Sequence, residues 1–134
     1  MNMITRFLKL ILPLPTPHLR RSDYSTLFRA IRLVESGGEY YAPYAVGDSG
    51  RSIGPYQISF GYWIDAYNYD PDLDGTWAMC VDQTYAEQVM MQYWQRHAPK
   101  DATWEVLARI HNGGPNGYHK AETQQYWKRV VRYL

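Results

Sequence analysis

Leu27, Phe28, Ile31 and Val34 recur at three- and four-residue intervals, the spacing of one helix face. They predict a helix over Tyr24–Glu35, with Ser22 or Asp23 able to cap its start and Gly37-Gly38 ending it. The next stretch, 39–57, is rich in Gly, Ser, Pro and Asp and has no helical period, so it reads as turns and short strands. Helical spacing resumes over Ile58–Tyr69 and breaks at Asp70-Pro71-Asp72. Asp82 or Thr84 can start the longest helix, which runs to about His97 on a stripe of Tyr85, Val89 and Tyr93 with Met90 and Trp94, and Pro99 ends it. A short helix over Thr103–His111 is closed by Gly113-Gly114-Pro115. A last one covers about Ala121–Tyr133, with Tyr126, Val130 and Tyr133 on one side. Five helices and one irregular insertion after the first make an α+β chain that is predominantly helical.

Length and composition narrow the class. The 134 residues suit one domain, and 46% apolar against 20% charged residues excludes a disordered, collagen-like or coiled-coil chain. The division expected is 1–22 as an arm or weak export signal and 23–134 as the domain proper. Arg6 followed by Phe7, Leu8, Leu10, Ile11, Leu12 and Leu14 has the order of a signal peptide. Lys9 and the prolines at 13, 15 and 17 spoil it, and the run is too short to span a bilayer, so no integral membrane segment is expected. One cysteine, Cys80, makes no internal disulfide, and no Cys/His set has zinc-ligand spacing; neither metal nor cofactor is implied. The net charge of +1 hides a split. Residues 35–87 hold nine acids against Arg51, while both ends are basic, which argues against a nucleic-acid groove through the middle. Aromatic residues reach 16%, more than one small core usually buries, and exposed rings stack on sugars or bases.

Glu35 is the most informative polar residue. It lies seven positions after Phe28 and four after Ile31, on the apolar face and in the last helical turn. Desolvation and the helix dipole both disfavour its ionised form, as a general acid requires. Asp48 stands thirteen positions further on, in Val46-Gly47-Asp48-Ser49-Gly50, where a turn keeps a carboxylate hydrated. Two carboxyl groups in contrasting surroundings can divide the roles of acid and anion. His111-Asn112 forms a polar pair at a helix end. His97 and His119 read as surface residues. Ser49 and Ser52 have no evident base nearby in sequence, and Cys80 has no marked His or Lys neighbour, so a nucleophilic Ser or Cys mechanism is poorly supported.

Four blocks occur in order: Val34-Glu35-Ser36-Gly37-Gly38, Gly54-Pro55-Tyr56-Gln57-Ile58, Tyr62-Trp63-Ile64-Asp65 and Ala108-Arg109-Ile110-His111-Asn112-Gly113-Gly114-Pro115. Over roughly residues 27–131 the chain resembles the invertebrate-type, destabilase-like lysozymes. The first two blocks are also similar to goose-type lysozymes and soluble lytic transglycosylases. The resemblance implies a lysozyme-like fold with a small β hairpin after the first helix. It implies a secreted or periplasmic, monomeric muramidase acting on peptidoglycan or a chitin-like polysaccharide at β-1,4 bonds beside N-acetylmuramic acid. Glu35 matches the family's general acid. Asp48 falls near its second carboxylate; counted back from Gly54 without a gap, Gly47 takes that place and Asp48 stands one residue later. The expected substrate-binding set is Ser52, Tyr56, Gln57, Tyr62, Trp63, His111 and Asn112. These lysozymes are usually stapled by many disulfides, and here Trp and Tyr packing must replace them. The alternatives are a lytic transglycosylase, which needs no second carboxylate, and a non-catalytic glycan-binding domain.

Overall fold

A computed structural model describes residues 21–37, 46–47 and 50–134. Five α-helices follow a 3-10 turn at Arg21–Tyr24: α1 Ser25–Ser36, α2 Phe60–Tyr69, α3 Gln83–His97, α4 Trp104–Gly113 and α5 Glu122–Val131. Between α1 and α2 lie three two-residue strands, β1 Val46–Gly47, β2 Ser52–Ile53 and β3 Ile58–Ser59. They form one antiparallel sheet in the order β1-β2-β3, with Gly47 opposite Ser52 and Ser52 opposite Ser59. The expected α+β, mainly helical architecture is present, and a third strand extends the expected hairpin.

Several boundaries differ from the sequence reading for physical reasons. Ile58 is in a strand, because Ile58 and Ser59 pair with Ile53 and Ser52; Ser59 then accepts from the Tyr62 amide and starts α2 at Phe60. The N-cap position of α1 is Tyr24 rather than Ser22 or Asp23, and the helix grows directly out of the preceding 3-10 turn. At the far end α5 stops at Val131, and Tyr133 is exposed; Thr123 joins Tyr126 and Val130 on the buried side instead. The expected start of the longest helix at Asp82 is present, with its side chain accepting from the Tyr85 amide; Thr103, read as the first residue of its helix, is the N-cap of α4 and accepts from the Val106 amide.

The core joins α1 to α3 through rings. Phe28 stacks on Trp94 with centroids 5.5 Å apart and 16° between planes, and Tyr24 and Tyr56 pack at its edges. Each such pair adds roughly 0.5–1.5 kcal/mol beyond the area it buries. These contacts occupy the middle of a fold that has a single cysteine, Cys80, whose buried thiol is pushed up to about 12 by desolvation. At pH 7 that sulfur is a neutral packing group and no nucleophile.

Glycine sets two close approaches around the sheet and α4. Gly54 has φ +79, and a Cβ there would lie 2.2 Å from the Cys80 carbonyl oxygen. Gly117 admits even less: its Cβ would meet the Arg109 carbonyl oxygen at 2.1 Å. The second approach clamps the turn after α4 onto that helix and so fixes where α4 ends. Among the described residues no helix is long and apolar enough to cross a membrane.

Candidate active site

The end of α1 carries Glu35. Gly37 terminates the helix in the left-handed conformation, its N–H bonding to the Leu33 carbonyl. Ser36 donates to the Pro55 carbonyl at 2.9 Å, which ties this helix end to the Gly54–Gln57 turn. Glu35 thereby projects into a cleft of about 520 Å³ with its side chain 18% exposed. Ser52, Gln57 and Ser59 form the sheet side of this cleft, and Gly61 and Tyr62 the start of α2. Tyr93 contributes from α3, and His111, Asn112 and Gly114 close it from the end of α4.

His111 faces Glu35, with Nε2 3.9 Å from Oε1. The same Nε2 lies 3.0 Å from the Tyr56 carbonyl, which can only accept, so Nε2 carries a hydrogen. Nδ1 lies 3.0 Å from the Tyr62 hydroxyl. Burial lowers the His111 pKa to about 4, against a smaller opposing effect of the Tyr56 carbonyl. The imidazole is therefore neutral at pH 7 and puts no full positive charge beside Glu35. Tyr126, buried on α5, has its phenol held well above the usual range, first by burial and then by the nearby Glu35 carboxylate. Two of the groups near Glu35, His111 and Tyr126, are thus neutral at pH 7.

Behind the cleft the chain holds a second polar cluster. Tyr56 donates to Glu87 at 2.7 Å and accepts from Arg32 at 2.8 Å, with Arg32 and Glu87 3.5 Å apart. Arg32 stands one turn before Glu35 on α1, so this network fixes the helix that carries the acid. Burial, then the bond to Glu87, raises the Tyr56 phenol far above its ordinary value.

The structure sorts the expected site residues. Glu35, Ser52, Gln57, Tyr62, His111 and Asn112 are brought together on the cleft. Tyr56 and Trp63 do not line it. Tyr56 is fully buried, with its hydroxyl committed to Arg32 and Glu87, and only its backbone carbonyl serves the site. Trp63 packs in the core and donates to the Tyr85 hydroxyl. Asp48 lies outside the described residues. His97 is partly buried rather than a plain surface group, with Nε2 2.9 Å from Asp65. Ser59, Gly61, Tyr93 and Gly114 also line the cleft and were not expected from sequence. Tyr93 obeys the helical period of a core residue, and its stacking on Tyr62, centroids 3.8 Å apart, is a long-range pairing that local spacing does not encode. Gln57 offers one local clue to its special place: it holds φ +52 without being glycine, and its side-chain amide bonds back to the Gly54 carbonyl.

A family model described as Destabilase matches residues 34–132. The chain belongs to the Destabilase family. It is 34% identical over 99 residues to the invertebrate-type lysozyme of Ruditapes philippinarum, covering 71% of this chain and 70% of that one. It is 35% identical over 83 residues to lysozyme 1 of Crassostrea virginica, covering 59% of this chain and 43% of that longer protein. Among solved structures, the Tapes japonica lysozyme superposes with a TM-score of 0.65 at 31% identity, over 79% of this chain and 86% of that one. The fold is thus lysozyme-like, and the matched region includes Glu35 and the whole described cleft.

Proposed function

We propose that this chain is a lysozyme-type glycosidase, a muramidase that cleaves β-1,4 bonds between N-acetylmuramic acid and N-acetylglucosamine in peptidoglycan. The observation that carries this reading is Glu35: a carboxyl group at a helix end, on the wall of a polar cleft, facing a histidine that burial keeps neutral. From this position Glu35 can deliver a proton to the glycosidic oxygen. Loss of the leaving sugar then develops positive charge at the anomeric carbon, and a second carboxylate is needed to stabilise or trap it.

Asp48 is the proposed second carboxylate. It follows Gly47 in the sequence, and the strand partner of Gly47, Ser52, lines the cleft. A spacing of about 5–5.5 Å between the two carboxyl groups gives a retained anomeric configuration. Ser52, Gln57, Tyr62, His111 and Asn112 are the proposed sugar contacts. The polymer lies outside the cytoplasm, so the chain is proposed to act there, as a monomer. A chitin-like polysaccharide offers the same β-1,4-linked N-acetylated sugars and is the proposed secondary substrate.

The test is release of reducing ends from purified peptidoglycan by the wild-type protein and by Asp48→Asn. Reducing muramic ends from the wild type, with a rate lower by about 10²-fold or more in Asp48→Asn, support the reading. Anhydro ends formed equally well by both proteins would replace it with a lytic transglycosylase. No release from folded protein would leave a glycan-binding domain.

A further inference from the structure

The hydrogen bonds around His111 have a direction, and that direction reaches the cleft. The Tyr56 carbonyl can only accept, so it fixes the hydrogen of His111 on Nε2. In the neutral ring Nδ1 is then a bare acceptor, and the group 3.0 Å from it, the Tyr62 hydroxyl, must be the donor. A phenol has one hydrogen. Once that hydrogen is committed to His111, the Tyr62 oxygen has lone pairs and nothing to donate. Tyr62 lines the cleft, and its ring is held flat against Tyr93, 14° from parallel, so the oxygen cannot swing to another partner without breaking the stack. Burial opposes the charged imidazolium that would reverse the polarity of this relay.

We infer that Tyr62 is a specificity-determining residue: backbone Tyr56, through His111, makes its oxygen an acceptor toward the cleft, so a sugar bound against it must present an N–H or an O–H there. The amide N–H of an N-acetylated sugar has this chemistry. A ring oxygen or an acyl carbonyl turned to the same place meets lone pairs and is repelled. His111 is a positioning residue in this arrangement, acting on the ligand through Tyr62. The inference rests on the glycosidase reading of the cleft and adds to it the polarity of one of its walls.

The experiment uses the full chain carrying Glu35→Gln, so that the ligand is not turned over, with the β-1,4-linked tetramer of N-acetylglucosamine as the probe in calorimetry. Adding Tyr62→Phe keeps the ring and its stack and removes the acceptor; binding is expected to weaken about five- to tenfold, with Tm lowered because His111 Nδ1 loses its donor and the protein still folded at the assay temperature. Adding His111→Gln keeps a donor for the Tyr56 carbonyl and removes Nδ1. It should weaken binding by itself but add nothing once Tyr62 is Phe. Nitrogen NMR of the Tyr62-containing protein should show His111 as a neutral ring with Nε2 protonated. Unchanged affinity in Tyr62→Phe, additive effects of the two substitutions, or a ring protonated on Nδ1 overturns the inference while leaving the glycosidase reading standing. If His111→Gln does not fold, the Tyr62→Phe affinity and the NMR tautomer decide. Failure of the Glu35→Gln protein to bind the tetramer at all overturns the inference, and peptidoglycan cleavage by the wild type then judges the glycosidase reading separately.

Discussion

Glu35 and Glu87 are two inward-facing glutamates with opposite fates. Glu87 sits on α3 behind the site, nearly fully buried, accepting from Tyr56 and facing Arg32. Its negative charge is matched by a guanidinium, and the cluster has no surface on the cleft. Glu35 sits one turn beyond Arg32 on α1, partly exposed to the cleft, and the basic side chain facing it is a neutral imidazole. A buried carboxylate given a cation becomes a strut. One given a neutral neighbour and an opening to solvent becomes a group that can lend a proton. Tyr56 serves both: its hydroxyl donates to Glu87, while its carbonyl orients the histidine that faces Glu35.

The contrast is broken most severely at Glu35. Glu35→Gln keeps the shape of the side chain and removes its acidic proton, so the cleavage rate should fall by about 10²–10⁴-fold in a peptidoglycan assay while Tm stays close to the wild-type value. Glu87→Gln should do the converse. It leaves Arg32 without its counter-charge, and because Arg32 is partly hydrated the loss should be about 2 kcal/mol in a denaturant titration, below the range for fully enclosed pairs. The rate per folded molecule should change far less than in Glu35→Gln.

The third expectation concerns pH. The folded pKa of His111, about 4, lies below the ordinary 6.5, so between these values the unfolded chain binds a proton that the folded chain refuses. Stability therefore rises with pH across this window. The contribution of His111 is complete above 6.5 and is lost as pH falls toward 4, to the extent of about 3 kcal/mol. Urea midpoints measured from pH 7 to pH 4 should show this slope, and His111→Gln should flatten it. The smallest effect is expected at Ser36. Ser36→Ala removes the bond that ties the end of α1 to the Pro55 carbonyl and should cost about 1 kcal/mol, with a modest fall in rate as Glu35 loses part of its anchoring.

The sequence carried much of this, and its limits have physical causes. Helical spacing placed Glu35 on the inner face of α1 near its end, where the structure has it, because helix periodicity is a local property of the chain. His111 and Asn112 were legible as a polar pair at a helix end for the same reason. Tyr56 and Trp63 were misplaced as cleft walls. An aromatic residue in a motif can face either the ligand or the core, and the partners that decide it, Arg32 and Glu87 for one and Tyr85 for the other, lie 22 to 31 residues away. The first two residues assigned to α2 became a strand because pairing with Ser52 and Ile53 outweighed a helical period only two residues deep. Tyr93 was read as core and is also cleft, since one face of its ring meets Tyr62.

The most direct measurement is mass spectrometry of the fragments released from purified peptidoglycan by the wild-type protein and by Glu35→Gln, at equal folded concentration. The account predicts fragments with reducing muramic ends from the wild type and almost none from the variant. Equal release by both proteins would contradict it, because the proton of Glu35 would then have no part in breaking the bond.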